Sequence, residues 1–157
     1  MITEYLLSKI NYLSEDKAFG ILTRQALELK ISESEVNMRV YVIDFNGIHD
    51  LNKKLGYLKV NGIIHELFRQ LKLKYPYQAV FFGRIFSGDE VAIVVNHTYP
   101  NKVINDFIKI CKNKDIGFKF VNHCLTSKTP VDRVSAVLDA MSTQLQIEPI
   151  YSHVYDN

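Results

Sequence analysis

At 157 residues, with 47% hydrophobic and 23% charged side chains, the chain has the size and composition of one globular domain with a sizeable core, which excludes a disordered or fibrous polypeptide. A formal charge of +2, with lysines scattered as in Lys53, Lys54, Lys72, Lys74, Lys112 and Lys114, offers no basic face for nucleic acid or an anionic membrane. No apolar run approaches the roughly 20 residues that cross a bilayer, and the amino terminus lacks a basic segment followed by a continuous apolar core, so a cytoplasmic protein without signal or anchor is expected.

Residues 1–13 carry Ile2, Tyr5, Leu6, Ile10 and Leu13 at helical spacing, an apolar face that must pack on the domain or on a second copy. A second helix is expected from near Asp16 through Phe19, Leu22, Ala26 and Leu29, with Ser14 or Asp16 as its cap. The polar stretch 32–37 reads as a loop before a first strand, Arg39 to Phe45. Two helical patterns follow, Asp50 to Leu55 and Tyr57 to Lys74, joined at Gly56 and closed by Pro76.

A hydrophobic hairpin spans 78–95, and Val103, Ile104, Phe107, Ile108 and Cys111 mark an amphipathic helix over 100–112. A strand at 117–125 precedes Pro130, which suits the first turn of a helix running from Val131 to Leu145. Ile150 to Tyr155 completes the pattern as a short strand. A hairpin interrupting the alternation of helix and strand predicts an α+β fold, a mainly antiparallel five-stranded sheet covered by helices, rather than a doubly wound parallel one. The two cysteines, Cys111 and Cys124, have no metal-type spacing and lie in apolar stretches, so buried free thiols are expected.

The hairpin turn contains Ser87-Gly88-Asp89-Glu90, two adjacent carboxylates between buried strands, and Asp44 ends another apolar strand before an abrupt turn into a helix. Strand ends that present acids to one point can hold divalent cations against a triphosphate, because hard oxygen ligands suit Mg²⁺ and the metal neutralises charge in phosphoryl transfer. Plainer readings stand beside this one: Ser-Gly-Asp is ordinary turn chemistry, and Asp44 can cap the helix that follows. His65, His97, His123 and His153 form no zinc-ligand spacing.

Three segments resemble, in order and spacing, the GGDEF domains, whose typical members are diguanylate cyclases. Asp16-Lys17-Ala18-Phe19-Gly20-Ile21-Leu22-Thr23-Arg24 is similar to the D-x-L-T-G-L-x-N-R string of that family, with Asp16, Gly20 and Arg24 in register. Asp44-Phe45-Asn46, followed by Asn52, Gly56 and Asn61, is similar to its D-x-D, N, G and G-D series, and Ser87-Gly88-Asp89-Glu90-Val91 stands where the name-giving pentapeptide would be.

The resemblance implies a nucleotide-cyclase, polymerase-palm-like domain over residues 14–157, with residues 1–13 as a dimerisation helix. It implies Mg²⁺ (or Mn²⁺) on Asp44, Asp89 and the Phe45 carbonyl, with Glu90 beside the metals and the attacking ribose hydroxyl. Asp44, Asp89 and Glu90 form the implied catalytic set. The implied nucleotide-binding set is Phe45, Asn46, Gly47, Ile48, His49, Asn52, Asn61, Ser87 and Gly88. Backbone amides from Asn46 to His49 can take phosphates at a helix amino terminus, and Asn52 and Asn61 would face the base. The implied reaction condenses two nucleoside triphosphates, GTP first among them, into a cyclic dinucleotide such as cyclic di-GMP. Each chain would hold one nucleotide, so a homodimer is required, and regulation by expression level, by dimerisation or by a separately encoded partner stays open.

The chain departs from the family pattern at several places. Asn61 replaces an aspartate, and an amide offers both acceptor and donors, which admits adenine as well as guanine. The stretch Val137 to Gln146 resembles the family's late helix but offers glutamines in place of the phosphate-contacting lysine. The family's inhibitory R-x-x-D motif, which would fall at Gln78 to Phe81, is absent. These departures motivate an alternative, a degenerate module that binds a nucleotide and signals through a partner.

Overall fold

The computed structural model describes residues 15–86, 89–96 and 101–147. In chain order the strands are β1 (Glu15–Asp16), β2 (Ile21–Leu22), β3 (Met38–Asn46), β4 (Val80–Arg84), β5 (Glu90–Asn96) and β6 (Gly117–Leu125). The helices are α1 (Arg24–Ser32), α2 (Ile48–Leu55), α3 (Tyr57–Lys74), α4 (Lys102–Asn113) and α5 (Val131–Ile147). The strands form one sheet in the order β1-β2-β4-β5-β3-β6, antiparallel except where β2 meets β4.

Side-chain alternation along β3 divides the core in two. Tyr41, Ile43 and Phe45 face one side, where they meet Ile48 of α2, Ile64, Leu67 and Phe68 of α3, and Phe107 of α4. Met38, Val40 and Val42 face the other, against Leu27 and Ile31 of α1 and Val134, Leu138 and Met141 of α5. The result is the expected α+β arrangement, a mainly antiparallel sheet covered by helices on both faces. It has six strands rather than five. The expected strand at Ile150 to Tyr155 lies outside the described residues, as does the expected helix over 1–13, while β1 and β2 add a short hairpin beside β4.

That hairpin corrects the expected helix from Asp16. Gly20 takes a left-handed backbone (φ +68°), its amide donates to the Asp16 carbonyl at 2.8 Å, and the Phe19 amide donates to Asp16 Oδ1 at 3.2 Å. A glycine that closes a turn in this conformation stops a helix from running through it. The helix begins instead at Arg24, where Thr23 Oγ1 accepts from the Ala26 amide at 3.3 Å.

Cys111 is buried as expected, and burial pushes its thiol up to about 12. Cys124 is exposed, contrary to expectation. It lies in a run of exposed residues, 122–124, on β6, the edge strand among the described residues. Among the described residues no helix is long and apolar enough to cross a membrane.

Candidate functional site

Strand pairing positions the acids. Asp44 is directly opposite Glu90 in the β3–β5 ladder and opposite Lys119 in the β3–β6 ladder. Directly opposed residues share a face, so Glu90, Asp44 and Lys119 form a row across three adjacent strands. Asp44 alternates in step with Val40 and Val42, which places the row on the face covered by α1 and α5. Lys119 is almost fully buried beside it.

Asp89 sits one residue before β5, and two backbone bonds pin its neighbourhood. The Phe45 amide donates to the Asp89 carbonyl at 3.2 Å, and the Ile85 amide donates to the Glu90 carbonyl at 3.0 Å. The resulting electrostatics are costly for carboxylates. Burial raises the Asp44 carboxyl above its ordinary value, the negative charge of Glu90 raises it further, and Asp89 adds to this while Lys119 pulls it back down. Burial likewise raises Asp89, opposed by the positive charges of Arg84 and His49. Arg84 is anchored nearby, with Nη1 donating to Asp16 Oδ1 at 3.1 Å and its guanidinium over the Phe19 ring. The Asp16–Arg84 bond therefore ties the β1–β2 hairpin to the strand leading into the acidic turn.

Glu90 is held from α5. Its Oε1 accepts from Ser142 Oγ at 2.6 Å, and its Oε2 accepts from Gln146 Nε2 at 2.8 Å. Neither partner was apparent as a site residue in the sequence. The available signal was their spacing, because residues four apart lie on one helix face. Gln146, one of the glutamines in the helix where the resemblance implies a lysine, makes a carboxylate contact.

The connection from β3 into α2 turns at Gly47. Gly47 takes φ +76° at the helix start, and no side chain caps the first turn. A Cβ there would meet nothing within 4 Å, so the glycine is required by the backbone conformation rather than by crowding. Amides at an uncapped helix start retain donors for an anion. Ile48 anchors the helix in the core and His49 is exposed. Phe45 packs its ring against Phe107, so only its backbone can serve a ligand.

Asn52, on α2, has a buried side-chain oxygen with no hydrogen-bond partner among the described residues. Such an orphan acceptor is costly unless something supplies a donor. Asn61 lies half-buried on α3, which packs against α2. Ser87 and Gly88 lie outside the described residues. Among the described residues no group of three or more His, Cys, Asp or Glu side chains is arranged to hold a metal ion.

No family model matches the sequence, and no curated protein matches it either. Solved structures do match. A microbial GGDEF domain described in its interaction with cyclic di-GMP is similar at a TM-score of 0.69 and 15% identity, covering 86% of this chain and 91% of that one. The coiled coil and GGDEF domain of DgcB from Caulobacter crescentus, in complex with c-di-GMP, is similar at a TM-score of 0.64 and 15% identity, over 88% of this chain and 83% of that one. Diguanylate cyclase SiaD from Pseudomonas aeruginosa, in complex with its activator SiaC, is similar at a TM-score of 0.68 and 12% identity, over 92% of this chain and 63% of that one. At such identities the likeness speaks for architecture: this protein has the fold of the GGDEF domains.

Proposed function

We propose that the protein is a metal-dependent nucleotidyl cyclase that condenses two nucleoside triphosphates, GTP first among them, into a cyclic dinucleotide such as cyclic di-GMP. The observation that carries this reading is the opposed pair Asp44 and Glu90 at adjacent strand ends, with Asp89 beside them and the Asp44 and Asp89 carboxyls raised by burial. Keeping like charges together and half-buried is unfavourable, and a bound divalent cation offsets that cost. The available donors are hard oxygens, and Mg²⁺ needs only one or two carboxylates because it keeps several waters. Asp44, Asp89 and the Phe45 carbonyl fit Mg²⁺ or Mn²⁺, which would supply charge neutralisation for phosphoryl transfer.

The chain's own groups do the rest. The first-turn amides of α2 take phosphate oxygens, and the orphan oxygen of Asn52 accepts from the base. A guanine edge offers such donors at N1 and N2, whereas Asn61 leaves the choice of base open to adenine. Each copy presents one nucleotide, so two copies must face one another for the condensation. The SiaD complex with its activator is a precedent for a separately encoded regulator.

One observation favours a second reading. The last turn of α5 carries no basic residue, which removes a phosphate-binding cation and suits a module that binds a nucleotide and signals without turnover. Incubating concentrated protein with the four ribonucleoside triphosphates and Mg²⁺ or Mn²⁺, then identifying products by mass spectrometry, separates the two. A cyclic dinucleotide that disappears in Asp89→Ala supports the cyclase. Intact triphosphates under both metals refute it in favour of the binding module.

A further inference from the structure

Ser142 and Gln146 stand one helical turn apart on the face of α5 that covers the acidic row, and together they engage both carboxylate oxygens of Glu90. Ser142 is buried, at 6% exposure, so the contact is made largely away from water. Both donors are uncharged. Neither can neutralise a charge, and each carboxylate oxygen keeps lone-pair capacity for another partner. Without them, a glutamate directly opposite Asp44 would lower its energy by rotating away from the like charge.

The helix that carries the two donors is itself fixed. Its inward residues Val134, Leu138, Met141 and Leu145 are buried, and Arg24 of α1 donates to Asp139 Oδ1 at 2.7 Å and to the Ser135 carbonyl at 3.2 Å. A rigidly packed element therefore fixes the Glu90 carboxylate on the sheet face that it shares with Asp44, close enough for Glu90 to raise the Asp44 carboxyl.

We infer that Ser142 and Gln146 are positioning residues of the cation site, which hold the Glu90 carboxylate beside Asp44 so that it adds to the anionic site that Asp44 and Asp89 offer a divalent cation. The inference rests on the cation reading above and adds α5 to the groups that build the site. Hydrogen-bond partners of this kind are commonly worth about 10- to 100-fold in metal affinity.

The test is Mn²⁺ binding to the metal-free full chain without nucleotide, followed by the electron paramagnetic resonance signal of free Mn²⁺ and by calorimetry. Wild type, Gln146→Met, Ser142→Ala, the double variant and Ser142→Thr are compared, each with a thermal melt in chelator. Gln146 is exposed, so Gln146→Met keeps the test open should the double variant unfold. The expected result is affinity about 10- to 100-fold weaker in the double variant and weakened in Gln146→Met, near-wild-type affinity in Ser142→Thr, and unchanged melting of Gln146→Met in chelator. Equal or tighter Mn²⁺ binding by the folded variants overturns this inference alone. A wild-type chain that binds no Mn²⁺ overturns it together with the cation reading on which it rests.

Discussion

Replacing Asp44 by asparagine should reverse in sign between the metal-free and metal-bound protein. Without metal, Asp44 faces Glu90 across the β3–β5 ladder, and its carboxyl is raised by burial and then by that neighbour. A directly opposed cross-strand pair is worth about 0.2–1 kcal/mol, unfavourable for like charges. Lys119, opposite Asp44 on the other side, offsets part of it, so a gain of about 0.5 kcal/mol is expected for Asp44→Asn, or about 1–2 °C in Tm for a domain of this size. The pH dependence follows from the direction of the shift. An acid whose folded value lies above its unfolded one costs stability once ionised, so the cost is absent below the ordinary carboxylate value and complete above the raised one. The metal-free wild type should lose stability relative to Asp44→Asn as pH rises through that window. With Mn²⁺ at about a hundred times its dissociation constant, wild type should gain about 2.7 kcal/mol and the variant much less, placing wild type on top. Calorimetric melts in chelator and in Mn²⁺ across a pH series measure all of this. A variant less stable than wild type in chelator, or an equal Mn²⁺ shift in both proteins, refutes the account of the site as an acidic pair only partly relieved by Lys119.

Asn52→Leu should raise stability by about 1 kcal/mol, because it removes a buried acceptor that has no partner among the described residues. The same change should weaken binding of a fluorescent GTP analogue about tenfold, the value of one lost hydrogen bond near 1.4 kcal/mol; lower stability with unchanged affinity would show that the oxygen serves the fold. Gly83→Ala would place a Cβ 2.8 Å from three carbons of the fully buried Leu27, and overpacking of this kind costs about 1–3 kcal/mol in urea unfolding. Shortening Leu27 in the same chain should recover part of that loss, and a Gly83→Ala protein as stable as wild type would contradict the close approach of α1 to β4.

The acids of the candidate site stood out in the sequence because they fall where apolar alternation ends. Asp44 and Asp89-Glu90 interrupt runs of Val, Ile and Phe, and such interruptions in buried strands mark strand ends without any knowledge of pairing. The path from β3 through Gly47 into α2 was legible for a similar reason, since a glycine between a strand pattern and a helix pattern marks a turn. The expected helix from Asp16 failed because Phe19, Leu22, Ala26 and Leu29 satisfy helical spacing while Gly20 turns the chain and Thr23 starts the helix afresh. Cys124 looked buried by its apolar neighbours, yet its stretch of β6 is exposed at the sheet edge.

By itself the sequence determined which residues are acidic, which runs are apolar, and where glycine permits a turn, because these depend on residue type and spacing along the chain. It therefore carried the α+β class and the candidate acids. Only tertiary structure decided that Asp44 stands opposite Glu90 with Lys119 on its other side, since cross-strand register brings together residues dozens of positions apart. Only tertiary structure, too, brought Ser142 and Gln146 from α5 onto Glu90. A side chain's hydrogen-bond partner depends on which helix covers which face of the sheet, and that is settled by the packing of two cores rather than by any local pattern.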